Sequence, residues 1–193
     1  MESVIAKAKA PAIVVAHPDD EALFAAGAII RYPKDWVIVC CTIPHRDPER
    51  RFNFKRSCKV LGASHYQLPH HERAGPIPID QLEYILEDRD LIITHGSRGE
   101  YGHVQHKEVH KSLRAKYQDR LVWFSYGDPE TSFTISLTDD EWAKKLEAIK
   151  CYDNWHDQTQ KTYERLLDYF GKHYPLRKEP YALTTECLNR FNV

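Results

Sequence analysis

The chain has 193 residues, of which 42% are hydrophobic and 28% charged, and its formal net charge is −1. This length and composition suit a globular protein with a real core, and the lack of a basic excess argues against a nucleic-acid partner. No run of about 20 apolar residues could span a bilayer. The apolar N-terminus leads into charged residues without a cleavage-type site, so we expect a cytoplasmic protein.

Short apolar runs alternate with helical patterns over the first two-thirds of the chain. Continuous apolar runs predict buried strands at 12–16, 36–43, 91–94 and 121–125, and residues 64–68 have a weaker strand pattern. Helical spacing of apolar residues predicts helices at 20–31, 49–61, 79–87 and 103–117. Gly62 is a typical residue to end the second of these helices. The alternation predicts a Rossmann-like α/β fold, with a doubly wound, mostly parallel sheet covered by helices on both faces.

The last third of the chain lacks this alternation. Residues 139–150 and 159–171 have helical patterns in which aromatic and charged side chains are mixed. No linker, low-complexity tract or internal repeat sets this part off from the rest. We therefore expect a helical C-terminal part that completes one domain spanning residues 1–193.

Cysteine and histidine usage differ sharply. The five cysteines are odd in number and form no C-x-x-C pair, so neither a disulfide framework nor a cysteine zinc site is expected. The eleven histidines are many for this length, and they cluster.

Two polar motifs follow predicted strands. Residues 17–21, His-Pro-Asp-Asp-Glu, come directly after the first strand, and residues 99–106, Gly-Glu-Tyr-Gly-His-Val-Gln-His, come shortly after the fourth. Doubly wound sheets place their sites at the carboxyl ends of strands. His17, Asp20 and His106 could give zinc two nitrogens and one oxygen and leave a position open for water. Asp19 would then be free to accept a proton.

Each motif alone also has a simpler interpretation. Asp19, Asp20 and Glu21 would all suit a helix N-terminus, because carboxylates cap it and interact favourably with its dipole. His103 and His106 could be exposed helix residues. We favour the metal site because capping does not explain polar groups at two strand ends together.

The sequence resembles a known family at these motifs. AHPDDE at 16–21 and GEYGHVQH at 99–106 resemble the signatures of the PIG-L/LmbE-like N-deacetylases. Weaker similarity at 49–63, at 145–152 and in YALTTECL near the C-terminus extends the resemblance over most of the chain.

The resemblance implies roles for residues of both motifs and of the 49–63 segment. It implies three zinc ligands and one general base: His17, Asp20 and His106, with Asp19 as the base. Tyr101 would donate to the developing oxyanion. His103 would assist the tetrahedral intermediate or protonate the leaving amine. Arg50 or Arg51 would contact the substrate.

Gln105 departs from the family pattern, which often has an aspartate there. An aspartate can orient the catalytic histidine and raise its pKa, whereas Gln105 brings no charge. We therefore expect His103 to be a weaker acid–base group than usual.

Three other residues near the motifs have less defined roles. His95, after the fourth strand, could reach the site or bond to the backbone. His110 is interpreted as an ordinary helix residue. Glu21 is interpreted mainly as a helix-start residue that could bond a ligand.

The implied function is zinc-dependent removal of an acetyl group from the amide nitrogen of a sugar-like small molecule, an N-acetylated amino sugar or glycoconjugate. Two alternatives stay open. The first is a zinc amidohydrolase for the amide of a secondary metabolite or thiol conjugate. The second is a catalytically weak relative that binds a metal or ligand. The sequence leaves both a monomer and a homo-oligomer open.

Overall fold

Strands and helices alternate along the chain to residue 124. The computed structural model describes residues 1–45, 47–152, 167–168, 171–172 and 176–193. In these segments the strands are β1 (Pro11–Val15), β2 (Val37–Cys40), β3 (Ser64–Gln67), β4 (Leu91–Thr94), β5 (Leu121–Phe124), β6 (Phe133–Ser136) and β7 (Lys178–Leu183). The α-helices are α1 (Ser3–Lys7), α2 (Ala26–Arg31), α3 (Glu49–Leu61), α4 (Glu83–Leu86), α5 (Val104–Tyr117), α6 (Asp139–Lys150) and α7 (Thr185–Arg190).

The sheet confirms the predicted doubly wound α/β fold. Its strand order is β3-β2-β1-β4-β5-β7-β6, and β1 to β5 pair in parallel. The chain runs outward from β1 through β2 to β3, then crosses back to β4 on the other side of β1. The strand order therefore reverses between β1 and β4. In open α/β sheets, ligands bind in the crevice beside the carboxyl ends of strands at such a reversal.

The helices cover both faces of the sheet. Side chains alternate between the faces along a strand, so Ile13 and Val15 lie in one buried cluster while Ala12 and Val14 lie in another. Helices α2, α3 and α6 contribute to the first cluster, and α4 and α5 contribute to the second. This two-sided burial explains why the parallel strands β1, β2, β4 and β5 are continuous apolar runs in the sequence. The parallel edge strand β3 is more polar and partly exposed.

The C-terminal part differs from the helical completion that the sequence predicts. Helix α6 has the predicted bounds, but β6 and β7 extend the sheet by antiparallel pairing with each other and with β5. Strand β6 is partly exposed and β7 contains Pro180, so neither has the apolar run of a central strand. The predicted helix at 159–171 lies mostly outside the described residues. Helix α1 was also missed.

A π-helical turn, Glu21–Ala25, leads from the first motif into α2, within the helix predicted at 20–31. Helix α3 ends at Gly62, whose φ of 74° is left-handed, as the sequence predicts. Helix α6 begins with a capping box between Thr138 and Glu141. Glu141 also pairs with Arg31 of α2.

All five cysteines are free and buried. No helix in the described part of the chain is both long enough and apolar enough to cross a bilayer.

Candidate active site

The two motifs meet where the strand order reverses. His17 and Asp20 follow β1, His106 lies in the first turn of α5 after β4, and all three are buried. His17 Nδ1 lies 3.2 Å from His106 Nε2, and Asp20 Oδ2 lies 3.4 Å from each of these nitrogens. A tetrahedral zinc ion with bonds of about 2.0–2.1 Å holds its ligand atoms about 3.3–3.4 Å apart. The three atoms therefore have the spacing that a zinc ion requires.

The hydrogen bonds of His17 orient its ring toward this point. Its Nε2 donates to Gln105 Oε1 at 2.7 Å, which leaves the lone pair of Nδ1 facing Asp20 and His106. Gln105 in turn donates to the carbonyl of Glu72 at 2.9 Å. The sequence interpretation linked Gln105 to His103, but the structure places it against His17. Partners of this kind fix the tautomer of a metal-binding histidine.

Glu100 plays the equivalent part for His106 and is a residue that sequence reasoning missed. Its Oε2 accepts from His106 Nδ1 at 2.5 Å and from His95 Nδ1 at 2.9 Å, and its Oε1 accepts from the Gly96 amide. Although burial raises the pKa of Glu100, the two histidines lower it to about 2. Its position inside the GEYGHVQH motif was the available signal.

His95 combines both roles that the sequence left open. Its Nε2 accepts from the Ala16 amide at 2.9 Å, and its ring stacks on that of His106 with 3.7 Å between centroids. His95 Nε2 also lies 3.4 Å from Asp20 Oδ2, so its ring touches the candidate ligands. His110 Nδ1 lies 2.8 Å from the carbonyl oxygen of His95.

The charges at the site suit a cation. Burial lowers the pKa of His106, but Asp20 and Glu100 outweigh that effect and raise it to about 10. Burial likewise opposes ionisation of Asp20, yet His106 and His95 hold its pKa well below the usual range. Two ionised carboxylates therefore face one imidazole, and a metal ion could replace the imidazole proton.

Asp19 is held in a strained conformation beside these residues. Its φ of 106° is rare for a residue with a side chain and costs about 1–3 kcal/mol. Its carboxylate accepts from Arg50 Nη2 at 2.6 Å. Burial raises the pKa of Asp19, and Arg50 opposes that rise. Arg51, the other arginine predicted to contact substrate, is exposed, so the residue that reaches the motif is Arg50.

Glu21 begins the π-helical turn, in agreement with its interpretation as a helix-start residue, and its side chain bonds to protein groups. It is fully buried, its Oε2 accepts from the Asp19 amide at 3.0 Å, and its Oε1 accepts from the Tyr152 hydroxyl at 2.6 Å. Burial raises the pKa of Glu21 to about 7. Its carboxylate thus turns back to the loop rather than toward a ligand.

His103 and Tyr101 lie on the open side of the cluster. The His103 ring is 4.6 Å from that of His17 and 4.7 Å from that of His106. Burial and the neighbouring His17 and His106 lower the pKa of His103 to about 4, so its imidazole is neutral at pH 7. Tyr101 is 40% exposed, with its ring 5.2 Å from that of His106.

Comparison with known families gives the same assignment as the motifs. Residues 12–117 match the PIG-L family, described as GlcNAc-PI de-N-acetylase. This chain belongs to the PIG-L family. The matched segment is more than half of the chain and contains all the residues placed at the candidate site except Tyr152.

The PIG-L chain is also similar to individual proteins. The uncharacterized protein L374 of Acanthamoeba polyphaga mimivirus is 28% identical in an alignment 137 positions long, which covers 59% of this chain and only 60% of that protein. The structure of the A40926 pseudoaglycone deacetylase Dbv21 has a TM-score of 0.64 and 11% identity, covering 91% of this chain and 98% of Dbv21. The 4-carboxy-2-hydroxymuconate hydratase GalB from Pseudomonas putida KT2440 has a TM-score of 0.63 and 18% identity, with coverages of 85% and 88%. At these identities the two structures show a shared fold.

Proposed function

We propose that this protein is a zinc-dependent hydrolase that removes the acetyl group from the amide nitrogen of an N-acetylated amino sugar or glycoconjugate. The observation that carries the proposal is the triangle of His17 Nδ1, Asp20 Oδ2 and His106 Nε2, with sides of 3.2–3.4 Å. Two imidazoles and one carboxylate without a thiolate are typical of an open hydrolytic zinc site. Membership of the PIG-L family supports the same chemistry.

The three ligands would leave room at the site for water and substrate. A zinc ion bound there would supply a more acidic water and a polarised amide carbonyl. Glu100 and Gln105 would keep the two histidines in the orientation needed to bind it, because each accepts a hydrogen bond from the ring nitrogen that faces away.

Asp19 is the group proposed to accept the proton of the attacking water. Its carboxylate lies beside the ligand cluster, and its ion pair with Arg50 holds one oxygen in place. Arg50 is also our candidate for contact with the substrate, because it is the arginine of the predicted pair that reaches the site. Arg51, on the exposed side of α3, would contact only the outer part of a larger substrate.

Tyr101 and His103 would complete the reaction. Tyr101 would donate to the developing oxyanion, for which its exposed position beside His106 is suitable. His103 has a pKa of about 4, so it is neutral before the reaction; it would take up the proton that Asp19 removed from the water and pass it to the departing amine. In this order of events His103 carries a proton only transiently and is not an imidazolium when the reaction begins.

Acetate release tests the proposal. The protein would be freed of metal with a chelator, loaded with one equivalent of zinc, and assayed against N-acetylglucosamine, its alkyl glycoside and an N-acetylated thiol conjugate. We expect zinc-dependent acetate release from the sugar substrates, lost with chelator and restored by zinc. Release from the thiol conjugate alone would support the alternative amidohydrolase. Zinc binding without any acetate release would overturn the enzymatic proposal.

A further inference from the structure

We propose that Glu21 and Tyr152 are positioning residues that hold the base Asp19 in its strained backbone conformation. The inference rests on the proposed function, because it takes Asp19 as the group that accepts the proton. It adds a residue from the C-terminal third of the chain to the working parts of the site.

The backbone at Asp19 needs an external restraint. A side chain at φ 106° is unfavourable, so the loop would relax unless other contacts hold it. Relaxation would rotate the carboxylate away from the ligand cluster, since Asp19 immediately precedes Asp20. A shift of about 1 Å at a reacting group can lower a rate by about 10².

Glu21 supplies that restraint from inside the protein. Its Oε2 accepts the Asp19 amide hydrogen at 3.0 Å, so the carboxylate bonds to the backbone of the strained residue itself. The amide that this carboxylate binds lies one residue before the cap position, Asp20, whose own side chain makes no capping bond. A fully buried carboxylate is unfavourable unless hydrogen-bonded, which indicates a specific use.

Tyr152 fixes Glu21 in turn. Its hydroxyl donates to Glu21 Oε1 at 2.6 Å, and its side chain is fully buried just beyond helix α6. Helix α6 packs against α2, α3 and the π-helical turn. The chain of contacts therefore runs from a packed helix, through two buried side chains, to one backbone amide of the active-site loop.

Three variants separate positioning from simple stability. In Glu21→Ala both bonds are lost, and we expect kcat to fall about 10- to 100-fold with KM and zinc content unchanged. In Glu21→Gln the amide oxygen can still accept from Asp19 and the amide nitrogen can donate to Tyr152, so kcat should return to within about 3-fold of the parent. Tyr152→Phe should fall between them, whereas the control Tyr84→Phe changes an exposed tyrosine and should match the parent.

A double variant shows whether Glu21 acts through Asp19. In the Asp19→Asn background, Glu21→Ala should lower kcat by no more than about 2-fold further, because the base is already gone. Independent, multiplying losses would overturn the inference, as would an unchanged kcat in Glu21→Ala. Should Glu21→Ala fail to fold, Tyr152→Phe and its double variant with Asp19→Asn provide the same comparison.

Hydrogen exchange keeps this inference separate from the proposed function. The Asp19 amide should exchange slowly in the parent and at least about 10-fold faster in Tyr152→Phe, whatever the enzyme hydrolyses. Slow exchange with no acetate release would contradict the catalytic part of the proposal and leave the restraint in place. Equal exchange in parent and variant, in an enzyme that releases acetate, would contradict the restraint alone.

Discussion

Two buried charged clusters adjoin the π-helical turn, and they are built differently. In the first cluster, Lys145 donates to Glu179 Oε1 at 2.6 Å and to the carbonyls of Leu23 and Leu176. Glu179 also accepts from the Gly27 amide and from the Tyr181 hydroxyl. Each charged atom of this pair has its partners within the protein.

In the second cluster, His17, Asp20 and His106 instead direct three candidate ligand atoms toward one another. The outer ring nitrogens of His17 and His106 donate to Gln105 and Glu100, while their inner nitrogens and Asp20 Oδ2 lie at metal-ligand spacing. Both clusters are buried, so burial alone does not distinguish structural charge from functional charge. The distinction lies in whether the charged groups pair with one another, as Lys145 and Glu179 do, or point toward a common position that a metal ion could occupy.

The largest effect should come from Asp19→Asn. The substitution removes the proposed base but keeps a side chain that tolerates positive φ and can still accept from Arg50. We expect kcat to fall about 10²- to 10⁴-fold while zinc content and melting temperature stay close to the parent. Steady-state acetate release, metal analysis and thermal unfolding check this, and full turnover would remove Asp19 from the mechanism.

Lys145→Met should act on the other cluster and should mainly affect stability. It leaves the Glu179 carboxylate buried without its cation, which typically costs about 3–5 kcal/mol. Urea unfolding should show this loss, and adding Glu179→Gln should recover part of it because the orphan charge is gone. A variant as stable as the parent would show that the Lys145–Glu179 ion pair does not stabilise the fold.

Gln105→Ala should weaken metal binding without unfolding the protein. Loss of an outer partner of a metal-binding histidine typically lowers affinity about 10- to 100-fold. Competition against a chromogenic chelator measures this loss, and Gln118→Ala, at an exposed glutamine away from the site, is the matched control. Equal zinc affinity in both variants would contradict the role given to Gln105.

Glu141→Gln should give the smallest effect, and it depends on pH. The hydrogen bond from Arg31 lowers the pKa of Glu141 from 4.5 to about 2, so this stabilisation is present above pH 4.5 and is lost as the pH falls toward 2. Because the pair is partly exposed, we expect a cost of less than about 1 kcal/mol at pH 7. Glutamine can keep the capping box, so the variant differs from the parent mainly in the ion pair. The difference in their free energies of unfolding in urea should therefore shrink between pH 5 and pH 3. A constant difference would count against the ion pair.

The sequence predicts features that depend on local patterns better than contacts between residues far apart in the chain. Strands β1, β2, β4 and β5 were predictable because burial on both faces leaves continuous apolar runs. Strand β3, at one edge, is partly exposed and has a weaker pattern, and β6 and β7, toward the other edge, lack the pattern. The meeting of His17, Asp20 and His106 was predictable because two motifs follow two strands, and the sheet places those strand ends together. The contact between Tyr152 and Glu21 was not, since it spans 131 positions and depends on how α6 packs.

The hydrogen-bond partners of the two histidines, Gln105 and Glu100, were also hard to predict, although they lie close to the motifs in sequence. Gln105 was associated with His103, two positions away in the sequence, but the first turn of α5 directs it to His17. Glu100 stood inside a recognised motif, yet its contacts with two histidines depend on a loop in which its own φ is 52°. Sequence spacing indicates which residues approach the site, and loop geometry decides which atoms meet.

The five enclosed thiols have a practical consequence. Burial raises the pKa of Cys40 and Cys41, and both lie in the sheet region, so neither should react with a thiol dye while the protein is folded. One cysteine introduced at an exposed position such as Tyr84 would then be a single attachment point for a fluorophore. The native sulfhydryls, which become reactive only as the chain opens, would report unfolding in the same sample.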